Sequence, residues 1–279
     1  MTAQTPATSA PENAAHLPDE VPVDMPPRDL PPVATYALRL GDDALVLSHR
    51  LGEWIAAAPQ LEEDIALGNL GLDLLGQART LLTYAGQVEG AGRDEDDLAY
   101  LRDERDFTNL QLCELPNGDF AVTMARLLVF SSYQYELYSR LQYGTDPTLA
   151  AIAAKAVKEV DYHRDHATQW VLRLGDGTTE SHHRMQAAAE HVWPYTEEMF
   201  DADDVTRELT EPGVAVDPGQ LREPWSSYVG AVLDEATLTV PATRPAVTGG
   251  RRGIHTETMG YLLAQMQHLA RSHPGAVQW

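Results

Sequence analysis

A single cysteine, Cys113, and only two lysines, Lys155 and Lys158, occur in 279 residues. One cysteine excludes an internal disulfide and fits a reducing compartment. With no adjacent histidine, it reads as a small buried apolar residue. Positive charge is almost all arginine, and 20 basic residues face 42 acidic ones, for a net charge of −22. Such a field works against nucleic acid or an anionic membrane as partner and favours solubility. No apolar run approaches the ~18 residues a membrane span needs. The N-terminus has neither the basic stretch nor the apolar segment of a signal peptide. No GxGxxG, P-loop or CxxC is present, and no segment alternates as a strand would. These absences leave a cytoplasmic, all-α protein as the expectation, and 43% hydrophobic residues suffice for one large core.

What is present is helical periodicity. Residues 1–32 are a Pro-rich tail, expected to be disordered because few large apolar residues offset the cost of ordering. From there to 279 the sequence reads as one helical domain. Leu40, Ala44, Leu47, Leu51 and Trp54 set a stripe on a first helix, 33–57, which Pro59 stops. Leu67, Leu70, Leu74, Ala78, Leu81 and Ala85 set a second, 62–88, with Glu62, Glu63 and Asp64 at the positive end of its dipole. Gly68, Gly71 and Gly76 inside it suggest close approach of another backbone. A charged stretch, 90–117, reads as short surface helices. A third helix, 120–143, and a fourth, 148–174, follow, with Thr145 or Asp146 capping the latter and Pro147 opening it. Further helices fill 178–279. Trp279 at the very end suggests a tail pinned to something. The two short inter-helix connections predict antiparallel hairpins and hence a four-helix bundle with additional C-terminal helices.

Glu159 and His163 on the fourth helix resemble a displaced Glu-x-x-His element, with which such bundles hold two iron ions. Counting outward from the hairpin loops places Ser48, Asp73, Ser131 and Glu159 at one level. Gly76 and Tyr162 stand where the two histidines belong. Two carboxylates of four and two neutral serines are a poor donor set for two divalent cations. His163 lies on an apolar stripe with Glu159 one turn before it. The pair reads either as ligands or, more plainly, as a buried polar pair satisfying itself. His166, His255 and His268 read as solvated or isolated. Arg244, Arg251 and Arg252 read as surface salt-bridge formers, with a phosphate or a partner's acids as the alternative. The glycine-bearing face of the second helix and the Trp54 end of the first are candidate contact surfaces.

Long stretches between Tyr36 and Trp279 resemble one family. They include Tyr36 to Trp54, GNLGLDLLGQAR (68–79), RDER (102–105), PNGDF (116–120), MFDADD (199–204), GVAVDP (213–218), EATLTVP (235–241) and TGGRRGIHTE (248–257). These are similar to the C-type subunits of the ring-1,2-phenylacetyl-CoA epoxidase. The resemblance implies a ferritin-like fold and a place in a multicomponent monooxygenase of aerobic phenylacetate breakdown. That enzyme uses oxygen and electrons from NADPH to epoxidise the ring of phenylacetyl-CoA. It further implies that the di-iron centre belongs to a partner, the catalytic A-type subunit. The C-type protein would then bind no cofactor itself and form the core heteromer with that partner and other subunits. No catalytic residue carries over. Two alternatives remain: a di-iron monooxygenase subunit with an atypical site around Asp73, Glu159 and His163, and a free-standing helical binding protein.

Overall fold

The computed structural model describes residues 30–273. Among them ten α-helices and several 3-10 turns account for the regular structure, with no strand. The expectations for residues 1–29 and for Trp279 lie outside the described residues. Pro32 already begins a helix, and Leu30 packs on the core. No described helix is long and apolar enough to cross a membrane.

Four long helices form the bundle: α1 (Pro32–Gly52), α2 (Leu61–Glu89), α5 (Phe120–Leu141) and α6 (Pro147–Gly175). The short helices α3 (Glu95–Tyr100) and α4 (Gln111–Glu114) lie between α2 and α5. Local chemistry sets the ends. Gly90 closes α2 at φ 71°, a left-handed conformation that glycine adopts without strain. The Asp119 carboxylate accepts from the Val122 N–H at 3.1 Å, and the Asp146 carboxylate caps α6 with Pro147 in its first turn. Helix α1 stops at Gly52, five residues short of the expected end. There the chain enters a turn in which Ala56 sits at φ 63° and donates its N–H to Asp64 Oδ1 at 2.6 Å.

Short loops make α1/α2 and α5/α6 antiparallel. The polar pairs between α2 and α6 also run in opposite directions: Glu63 with His166, Asp73 with His163, Gln77 with Glu159 and Tyr84 with Asp146. Helices α2 and α5 therefore point the same way. The chain between them must cross the bundle, as in ferritin-like folds with one long crossover. That crossover is not the surface feature the charges of 90–117 suggested. Phe107, Leu110, Leu112 and Cys113 in it are fully buried.

The remaining helices, α7 (Thr179–Val192), α8 (Asp204–Thr210), α9 (Arg222–Glu235) and α10 (Glu257–Ser272), close over the bundle and share its apolar core. Trp54 is not a free contact surface. Its Nε1 donates to Thr123 Oγ1 at 3.0 Å, and its ring meets Phe120 edge-on at 5.8 Å. The glycines of α2 also differ from expectation. A Cβ on Gly71 would meet the Ser48 carbonyl at 3.5 Å, but one on Gly68 or Gly76 would meet nothing within 4 Å.

Candidate functional site

The six residues the sequence brought forward do not converge on one centre. Ser131 on α5 is buried and donates to the Leu127 carbonyl one turn back at 2.5 Å. Ser48 on α1 is buried beside α2. Asp73 on α2 is displaced to the rim, its side chain 39% exposed, with Oδ2 3.1 Å from His163 Nε2. Glu159 on α6 accepts from Gln77 Nε2 at 3.0 Å and lies 3.2 Å from Lys155 Nζ. Tyr162 faces solvent.

His163 is buried as expected, but its partner is Asp73 across the helix pair rather than Glu159 one turn away. An i,i+4 pair must hold its geometry along one helix surface, whereas the antiparallel neighbour presents Asp73 directly to the ring. His166 is likewise no solvated residue: it pairs with Glu63 at 2.9 Å, both side chains largely covered. The result is a seam of separate polar pairs between α2 and α6, each satisfying a group that burial would otherwise penalise. One carboxylate held against the imidazole and a second tied up with Gln77, flanked by neutral serines, do not fit a pair of iron ions. Among the described residues no group of three or more His, Cys, Asp or Glu is disposed to hold a metal.

The strongest electrostatics lie elsewhere, where α1 and the crossover meet the segment 248–257. Asp42 forms a buried ion pair with Arg102 and accepts from the Thr108 N–H at 2.8 Å. Asp43 pairs with Arg251 at 2.7 Å and accepts from the Leu110 N–H at 2.7 Å. Burial outweighs Arg251 and raises the Asp43 pKa above its ordinary value. Glu114 and His255 are in contact at 2.7 Å with both side chains fully buried. Burial opposes a charged imidazole there. The hydrogen bond and charge of Glu114 win, however, and the His255 pKa is raised. Glu198 accepts backbone N–H groups from both sides, Gln111 at 2.9 Å and Gly250 at 2.7 Å, and burial raises its pKa.

Two glycines let these segments touch. A Cβ on Gly250 would lie 2.0 Å from the Asn109 carbonyl, and one on Gly253, at φ 71°, 2.2 Å from the Arg105 carbonyl. Arg251 is therefore an interior lock rather than a surface residue, and His255 is not isolated. Each of the four acids in this arrangement accepts from at least one backbone N–H of the chain.

A cavity of about 450 Å³ opens beside this lock, between α1, α5 and the stretches 198–221 and 248–252. Tyr36, Arg39, Tyr133, Glu198, Asp203 and Arg251 are among its lining residues. Burial acts to raise the Asp203 pKa, but Arg39 and the Thr206 N–H more than reverse it and hold it at about 2. Arg39 Nε has no partner, yet it has no exposed surface, so the cavity does not reach it.

The phenylacetic acid catabolic protein family model matches residues 19–279. The chain belongs to this family. Within it, the C-type subunit of the 1,2-phenylacetyl-CoA epoxidase of Escherichia coli (strain K12) is 52% identical over 247 residues, covering 88% of this chain and 99% of that protein. The motifs that carried the resemblance now have physical roles in this family member. TGGRRGIHTE supplies Gly250, Arg251, Gly253 and His255 to the lock, and RDER supplies Arg102. GNLGLDLLGQAR is the middle of α2. Reading the sequence missed Asp42, Asp43, Glu114 and Glu198, because nothing local marks an acid whose partner is far along the chain.

Proposed function

We propose that this chain is a non-catalytic, structural subunit of a cytoplasmic ring-1,2-phenylacetyl-CoA epoxidase of aerobic phenylacetate catabolism. It binds no metal itself and supports a separate di-iron subunit that acts on phenylacetyl-CoA. The identity to a protein named as the C-type subunit of that enzyme supports the assignment to the complex. One observation carries the non-catalytic part. Asp73 and Glu159, the two carboxylates at the level of the metal site, are tied up in separate pairs with His163 and Gln77. Ser48 and Ser131 stand on the other two helices. A ferritin-like oxidase needs four carboxylates and two histidines converging there. In this role the chain contributes packing, holding the catalytic bundle in shape.

The test is the iron content of the full-length chain expressed alone in iron-replete medium, followed by the same chain co-purified with the catalytic subunit. Negligible iron in the first, and epoxidation of phenylacetyl-CoA only with the second, is the expected result. About two irons per isolated chain would overturn the reading and make Asp73, Glu159 and His163 ligands.

A further inference from the structure

Helix α2 is apolar on two opposite faces. Leu67, Leu70, Leu74, Ala78 and Leu81 are buried against the bundle. Half a turn round, Leu61, Ile65, Gly68, Leu72 and Leu75 recur at alternating spacings of four and three, ending at Arg79. The four large residues of that outer row are 40–70% exposed. A helix that is apolar all round belongs in an interior, and a continuous apolar strip of this kind marks an interaction surface. Gly68 and, beside the row, Gly76 have open space where a side chain would stand. They leave room for another backbone to approach, the feature the sequence suggested and this chain alone does not use.

We propose that the outer face of α2 is the docking surface for a folded helical protein different from this chain, which lays a helix along the groove over Gly68 and Gly76. This rests on the reading of the chain as one member of a complex. Charge argues against a second copy, since each carries −22. Glu62, Asp64 and Asp73 also border the row, so the fitting partner brings basic residues to its edges. Area argues against a short peptide. The row spans about 27 Å and a helix is about 10 Å wide, roughly a third of the ~800 Å² per partner of a stable interface. The contact must therefore extend beyond the row, to Ile55, exposed in the turn before α2. A partner presenting two or more helices covers that width.

The experiment uses the full-length chain and the catalytic subunit of the epoxidase, with affinity measured by sedimentation velocity and each variant melted alone. Leu72→Glu places a charge in the row. Gly68→Leu fills the groove from a position where an added Cβ meets nothing within 4 Å, and it replaces a helix-weakening glycine. Both variants are expected to lower affinity at least tenfold, with the melting temperature unchanged for Leu72→Glu and unchanged or raised for Gly68→Leu. Tyr261→Glu, at an exposed site on α10, is expected to bind as wild type. Wild-type affinity in both row variants overturns the docking surface and leaves the proposed place in the complex intact. A wild-type homodimer that Leu72→Glu disperses also overturns it, by making the occupant a second copy. If the wild-type chain shows no binding to the catalytic subunit, its place in the complex itself falls.

Discussion

Two charged regions of this molecule look alike in sequence and differ in kind. The α2–α6 seam is built of separate contacts between an acid and a histidine, an amide or a phenol, and its Asp73 stays partly wet. The lock between α1, the crossover and 248–257 buries its acids, and each accepts from two or more donors, backbone N–H groups among them. A seam of isolated pairs tolerates the loss of one member because water can take its place. A buried group left without its counter-charge has no such substitute. The bundle centre, where a di-iron site would lie, is thus the forgiving region, and the stretch expected on the surface is the demanding one.

The sharpest way to break this contrast is to cut one bond in each region. Arg251→Ala strands the buried Asp43 carboxylate, and a loss of about 3–5 kcal/mol in urea denaturation is expected. Asp73→Asn, at a half-exposed site, is expected to cost under about 1 kcal/mol. Equal losses would erase the distinction. A smaller effect should come from pH. The His255 pKa in the folded chain lies above its ordinary value of 6.5. The stabilisation from its charged form is therefore complete below that value and disappears as pH rises through the folded-state pKa. Thermal melts of wild type and His255→Gln from pH 6 to pH 9 should show a gap that is widest at the acid end and narrows upward. A gap constant across that range would mean the imidazole titrates alike in the folded and unfolded chain. The smallest effect has the opposite sign. Gly76→Ala, with nothing to collide with, should stabilise the isolated chain by about 0.5–1 kcal/mol, read from the urea midpoint.

The four long helices were legible because period and caps are local. Asp146 with Pro147 and the acids of α2 mark starts that tertiary packing did not alter. The end of α1 was not legible, since the turn after Gly52 is held by Asp64 on the next helix. The pairing of α1 with α2 and of α5 with α6 followed from loop length alone. The partner of His163 did not, because that choice lay between a residue four away and one 90 away in sequence. The lock was beyond reach for the same reason in stronger form. Asp42 and Arg102 are 60 residues apart, and Asp43 and Arg251 are 208.

That last separation has a consequence for how the molecule is made. Synthesis runs from Asp43 towards Arg251, so a ribosome can deliver all four long helices before the cation that Asp43 requires exists. Glu114 waits as long for His255, and Glu198 has only one of its two N–H donors until Gly250 arrives. A nascent chain cut short before 248 would carry several acids in its future interior with no counterpart. Completion of the core thus waits until residues 248–257 have been made, and a stop before them yields a chain that fails to settle rather than a shorter working protein.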